Sequence, residues 1–395
     1  MLVRTLALGV VAACGRLDFS PIGTVGDGGG GPCRVSPLLQ GQRTTTIGTS
    51  PLDLAVGDLD HDGHADIVVV NEGDNTVTVL AGDGTGAFTP TQTFAVGTDP
   101  KFPLLADVDG DGNLDLVVAN GGDATIWIVP GSGTTTFGAA HTTAAVGNGP
   151  RWIALGALVP GGLPDLVVEN NGSSDLTVLP GTMPRGTFGP SSTITLGAAV
   201  GPHGMVLADL DGDGMLDVAT SNIDDKDVAV LYGNGDRTFA APQVLPGTNY
   251  PGSLSAADLN GDGRLDLVVP NTNDGTVGVF LNTGGRTFAP QVTYPELGGP
   301  NTAFAADVDG DGQIDVVTSN GGDSSSNGTD TIALLLGNGD GTLQSPIAFA
   351  SGTKPWGIVA ADLDGDGRTD VAIVNEGVIA PPAIGSLGVY LNGCR

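Results

Sequence analysis

The chain has 395 residues, and its 66 glycines and 26 prolines make up about 23% of it. That share approaches the disordered range, but 40% of residues are hydrophobic and β-branched ones recur in regular clusters, so the composition calls for many short strands joined by tight turns. With 44 acidic against 14 basic residues and a net charge of −30, nucleic acid is excluded as a partner, because phosphate contacts need a basic surface.

The first element is a leader. Arg4 is followed by an apolar run from Thr5 to Ala13, which predicts a signal peptide over residues 1–13, too short to span a bilayer. Its end, Val11-Ala12-Ala13-Cys14, resembles a bacterial lipoprotein signal, which implies cleavage before Cys14 and lipidation of that thiol. An ordinary secretory signal is the alternative. Residues 14–38, with Gly26-Asp27-Gly28-Gly29-Gly30-Gly31, suit a flexible tether from the anchor. No later stretch is apolar for about 18 residues, so no transmembrane helix is expected. The protein is expected to be an outer-membrane or cell-surface lipoprotein, otherwise secreted, touching membrane only through a lipid anchor.

Residues 39–394 form one repeated unit. Pro51, Pro100, Pro150, Pro202, Pro251, Pro300 and Pro355 recur at intervals of 49, 50, 52, 49, 49 and 55 residues. Seven places after each stands Asp58, Asp107, Ala157, Asp209, Asp258, Asp307 or Asp362. In each unit a short apolar strand follows the proline, as in Leu54-Ala55-Val56. An aspartate loop comes next, then a β-branched strand such as Ile67-Val68-Val69-Val70, a third strand such as Val77-Thr78-Val79-Leu80, and an outer strand opened by an aromatic such as Phe88. Four strands in about 50 residues describe a propeller blade. The predicted fold is all-β, a seven-bladed propeller with blades starting near 51, 100, 150, 202, 251, 300 and 355.

The seventh unit stops after its third strand, Val389-Tyr390-Leu391, while Thr44-Thr45-Thr46-Ile47-Gly48 matches the outer-strand sequence before Pro100. The N-terminal strand is therefore predicted to complete the last blade and close the ring, which limits exposed strand edges. Aligned with the first unit, Cys33 falls opposite Gly82 and Cys394 opposite Asp83, both in the turn between third and fourth strands. A disulfide Cys33–Cys394 clasping the ring is predicted, in keeping with an exported chain.

Six loops carry acidic residues, with one asparagine among them, at positions 1, 3, 5 and 9: Asp58, Asp60, Asp62 and Asp66; Asp107, Asp109, Asp111 and Asp115; Asp209, Asp211, Asp213 and Asp217; Asp258, Asn260, Asp262 and Asp266; Asp307, Asp309, Asp311 and Asp315; Asp362, Asp364, Asp366 and Asp370. Position 6 is always glycine, for a sharp turn. Calcium takes six to eight oxygens, and alternate positions on a tight loop aim carboxylates inward. Position 7 (His64, Asn113, Met215, Arg264, Gln313 and Arg368) would lend a backbone carbonyl. An EF-hand shares this opening but ends in Glu at position 12 and enters a helix. Here position 9 leads straight into a strand. About six structural calcium ions are expected, which would bring the charge to about −18. The third loop, Ala157 to Asp165, keeps the frame but lacks three carboxylates, so no metal is expected there, with Pro160 and Pro164 supplying rigidity.

These loops, the Asp-Leu-Val-Val strands and the elements Phe137-Gly138 and Phe188-Gly189 resemble FG-GAP/VCBS-type repeat proteins, including the integrin α-chain head, over about residues 39–394. The resemblance implies a seven-bladed propeller with calcium at the loops joining the first two strands, and roles in adhesion or ligand binding.

If calcium occupies one face, a ligand would use the other. Lys101, Arg151, Trp152, His203, Asn301 and Trp356 follow the prolines, and Lys354 precedes Pro355. They form a possible ligand face suited to an anionic glycan or a carboxylate, and the longer loops Asp323–Asp330 and Glu376–Gly385 share it. A non-catalytic binding or adhesion module with a protein or glycan partner is the main expectation. A polysaccharide lyase or glycosidase using the channel, and a purely structural envelope scaffold, are the alternatives. Glycosidases need two placed carboxylates. Asp53, Asp99 and Glu169 are available but show no clustered pattern in the sequence, and no catalytic residue is assigned.

Overall fold

Each of the seven prolines stands at or just before the first strand of a four-stranded antiparallel sheet. The computed structural model describes residues 38–197, 201–322, 328–377 and 384–393, and these contain seven such sheets, one small extra hairpin in blade three and no helix. The leader, the tether, Cys14, Cys33 and Cys394 lie outside the described residues.

Blade one shows the pattern: Pro51–Gly57, Asp66–Asn71, Thr76–Gly82 and Phe88–Ala95 pair in that order. The second strand of every blade is six residues long and buried throughout. A β-branched run is suited to this place, because neighbouring blades cover both of its faces. Outer strands such as Ser192–Thr195 are mostly exposed, and their polar residues face water.

The ring closes as the repeat register predicts. Arg43–Thr49 pairs antiparallel with Ile384–Tyr390, matching Arg43 to Val389 and Thr46 to Ser386, and so becomes the outer strand of the last blade. Strand register also sorts the loops. Gly57 pairs with Asp66 at one end of blade one and Pro51 with Asn71 at the other. The aspartate loops and third-to-fourth-strand turns share one face, and the prolines lie on the opposite face, around the channel.

Candidate metal loops and channel mouth

The six acidic loops are wound by their own hydrogen bonds. In each, the position 6 amide donates to the position 1 carboxylate, as in Gly63 to Asp58 at 3.1 Å and Gly312 to Asp307 at 3.0 Å. The position 7 amide donates to position 5, as in His64 to Asp62 at 2.8 Å. The glycines at position 6 hold φ between 82° and 92°, a left-handed conformation that a β-carbon disfavours. Glycine here is a backbone requirement.

The donor set fits calcium. In five loops three carboxylates each offer an oxygen, and these oxygens all lie within 4.8 Å of one another. Two oxygens bound to one calcium at about 2.3–2.6 Å can be no farther apart than about 5 Å. In blade five Asn260 replaces one of the carboxylates. Asp58 Oδ1 is buried without a hydrogen-bond partner, as an atom reserved for a cation would be.

Position 9 has a second task that the sequence reading missed. Asp66 accepts from the Leu59 amide at 2.8 Å and the Gly82 amide at 3.0 Å, pinning its loop to the turn after the third strand. The same clasp is made by Asp115, Asp217, Asp266, Asp315 and Asp370. Burial, followed by neighbouring carboxylates such as Asp211, pushes these groups up against the pull of the amides. Asp217 and Asp266 rise to about 6, and Asp315 and Asp370 to about 7.

Asp165 makes the clasp in loop three as well, to Leu158 at 3.1 Å and Gly181 at 2.8 Å. This explains why that loop keeps its last aspartate after losing the others. Its path differs, since Gly161 at position 5 takes the positive φ of 72° and Gly162 does not. Rigidity was expected from Pro160 and Pro164, but a cation from the next blade is also present. Arg237 Nε bonds the fully buried Asp165 at 3.0 Å. The equivalent residue one blade on, Arg286, reaches Asp211 of loop four at 2.6 Å. Each loop thus lies under the following blade's turn, a contact repeated by Asn282 Nδ2 to the Leu210 carbonyl and Asn392 Nδ2 to the Val308 carbonyl, both 2.6 Å.

At the opposite end of the channel one cavity is lined by residues one and two places after the prolines. Lys101, Arg151, Trp152, His203, Asn301 and Trp356 meet there with Asp53, which the sequence reading named only as an available carboxylate, and with Leu52, Ser253 and Thr302, which it did not single out. The expected positive charge is smaller than the sequence suggested. Lys101 is held by Asp99 at 2.7 Å and Glu72 at 3.0 Å. Lys354 does not line the cavity and sits 3.5 Å from Glu376, which also accepts from Trp356 Nε1 at 3.3 Å. Asp53 and Glu169, unclustered in sequence, both act electrostatically on Arg151 in the fold. Parts of the two longer loops, 323–327 and 378–383, lie outside the described residues.

A family model described as an FG-GAP-like repeat matches residues 58–118, 162–220, 219–269, 271–318 and 321–373, together about two thirds of the chain. A search of curated proteins finds no significant match. Among solved structures, virginiamycin B lyase from Staphylococcus aureus is 14% identical with a TM-score of 0.57, over 89% of this chain and 99% of the lyase. A lectin from Agrocybe aegerita, solved for its recognition of non-reducing terminal N-acetylglucosamine, is 21% identical with a TM-score of 0.51, over 87% and 95%. A protein from Lactobacillus plantarum is 20% identical with a TM-score of 0.57, over 78% and 88%. At these identities the likeness is one of fold alone.

Proposed function

The chain belongs to the FG-GAP-like repeat family, and on that premise we propose that it is a calcium-loaded, non-catalytic binding module exported to the cell surface. The observation that carries this reading is the convergence of carboxylate oxygens in five loops on one face, opposite a channel mouth lined with polar and aromatic side chains. The carboxylates at positions 1, 3, 5 and 9 would hold the ions, with Asn260 replacing one of them in blade five. The ion's contribution would be charge neutralisation and cross-linking of each loop to its blade. The other face is then free for a protein or glycan ligand. The test is capture of glycans and small acids by immobilised calcium-loaded protein, with product analysis of each captured compound. Saturable capture without conversion is expected, and turnover of any captured polysaccharide would make the protein an enzyme and end this reading.

The surface location rests on the leader sequence, with Cys14 as the lipid anchor and Cys33–Cys394 as an oxidised clasp. Mass spectrometry of the exported protein after alkylation checks both. It should find a lipid adduct on Cys14 and no alkylation of the other two cysteines. An unmodified Cys14 removes the anchor, and two alkylated thiols remove the clasp.

A further inference from the structure

The channel mouth holds a cation that has no ion-pair partner among the described residues. Arg151 is half-buried on the first strand of blade three, and its Nε is enclosed without a hydrogen-bond partner. Among the described residues no carboxylate lies within ion-pair distance of it, whereas Lys101 and Lys354 are both paired. Trp152 Nε1 and His203 Nδ1 are also buried and unpartnered, as are both oxygens of Glu169. Glu169 is fully buried and faces Trp152 across the strand pair. At this place in the second strand the other blades carry Val70, Ala119, Ser221, Pro270, Ser319 and Val374, so an acid answers no requirement of the repeat. An unpaired buried polar group costs about 1–3 kcal/mol, and a charge more. Several of them around one opening mark a site built for something other than stability.

We propose that this mouth binds one small organic monocarboxylate per propeller, gripped by the Arg151 guanidinium. This rests on the binding-module reading and names its ligand class. The planar guanidinium fork matches a carboxylate. A dianion such as phosphate would meet more repulsion from Asp53 and Glu72, both of which act electrostatically on Arg151. Burial pushes Glu169 up to about 8, in spite of Arg151, so at neutral pH it carries a proton and does not compete for the guanidinium. Trp152 stacks on Phe102 with ring centroids 4.4 Å apart, which fixes one wall. The enclosed space is only about 20 Å³, room for little more than a carboxylate head, so the rest of the ligand would stay in the open mouth.

Two of the chain's three tryptophans line this cavity, so tryptophan fluorescence of the calcium-loaded protein reports on it. Acetate and D-glucuronate are the probes, with inorganic phosphate and D-glucose as comparators. Saturable quenching by the two carboxylates is expected, at least tenfold weaker in Arg151→Gln and intermediate in Arg151→Lys, which keeps the charge but loses the fork. The melting temperature of Arg151→Gln should be unchanged or higher, because an unanswered charge is removed. No saturation by either carboxylate at tens of millimolar overturns the proposal, as does tighter binding of phosphate or glucose. Full affinity in Arg151→Lys overturns the grip by the fork, and unfolding of Arg151→Gln marks the residue as structural and overturns the site. Absent carboxylate binding in a protein that calcium still stabilises removes the site and leaves the binding-module reading standing. Conversion of D-glucuronate removes that reading and leaves the site.

Discussion

Calcium at about 5 mM is expected to raise the melting temperature of the ion-free protein at pH 7.5 by roughly 10 °C, and a chelator to reverse the rise. The size follows from site number. Extracellular-type sites with Kd of about 10⁻⁴–10⁻³ M contribute ~1–2 kcal/mol each at that concentration. Six of them approach the total stability of an ordinary domain, about 5–15 kcal/mol. The pH dependence has a definite sign. In the ion-free fold Asp217 and Asp266 stand near 6, and Asp315 and Asp370 near 7, all raised from 3.8. From about pH 4 to 7 the folded state therefore holds more protons than the unfolded chain, and stability falls as pH rises through that window. The ion-free protein should melt higher at pH 5 than at pH 7.5. The increment from calcium, which needs ionised carboxylates, should be larger at pH 7.5. Scanning calorimetry with chelator or calcium at both pH values reads all of this, and equal melting curves with and without calcium would end the metal assignment. Asp307→Ala should lower the calcium stoichiometry by one.

The second large effect is independent of calcium. Arg237→Gln leaves Asp165 fully buried and held only by two backbone amides. Removing one partner of a buried pair costs about 3–5 kcal/mol. With the arginine side chain 31% exposed, roughly 2–3 kcal/mol is expected after screening. Denaturant melts should show this loss equally with calcium or chelator, since loop three has no acids at positions 1, 3 and 5 to recruit an ion. Arg286→Gln is the contrast. Its partner Asp211 belongs to an acidic loop, so with calcium present the substitution should cost under about 1 kcal/mol. Full recovery of Arg237→Gln by calcium would refute the idea that this arginine stands in for an ion.

Both effects fall on contacts between blades. Loops three, four and six are covered by the following blade's turn, through Arg237, through Arg286 and Asn282, and through Asn392. Neutralising a loop, by calcium or by a guanidinium, would therefore also steady the joint to the neighbouring blade. For this reason a loss in one loop is expected to be felt in the ring and not only in its own sheet.

The features legible in the amino-acid sequence were those that recur. A proline and an aspartate seven residues apart, repeated at blade spacing, set the strand order, the loop positions and the glycine at position 6. Each is dictated by backbone geometry within a few residues, and the unmatched outer strand at Thr44–Gly48 implied closure in the same way. The second role of position 9 was hidden because its amide partner, Gly82 for Asp66, lies 16 residues away, past a strand pair whose register is fixed only on folding.

The sequence by itself determined the repeat, the all-β blade and the acidic loops, because these depend on short-range spacing and side-chain periodicity. Only the tertiary structure decided which charges are answered. Arg237 meets Asp165 across 72 positions, Lys101 is neutralised by Glu72 and Asp99, and Arg151, close to a buried Glu169, has no ion pair among the described residues. Whether a charge finds a partner depends on how neighbouring blades pack around one axis, and that distance in space is not written in any local stretch of the chain.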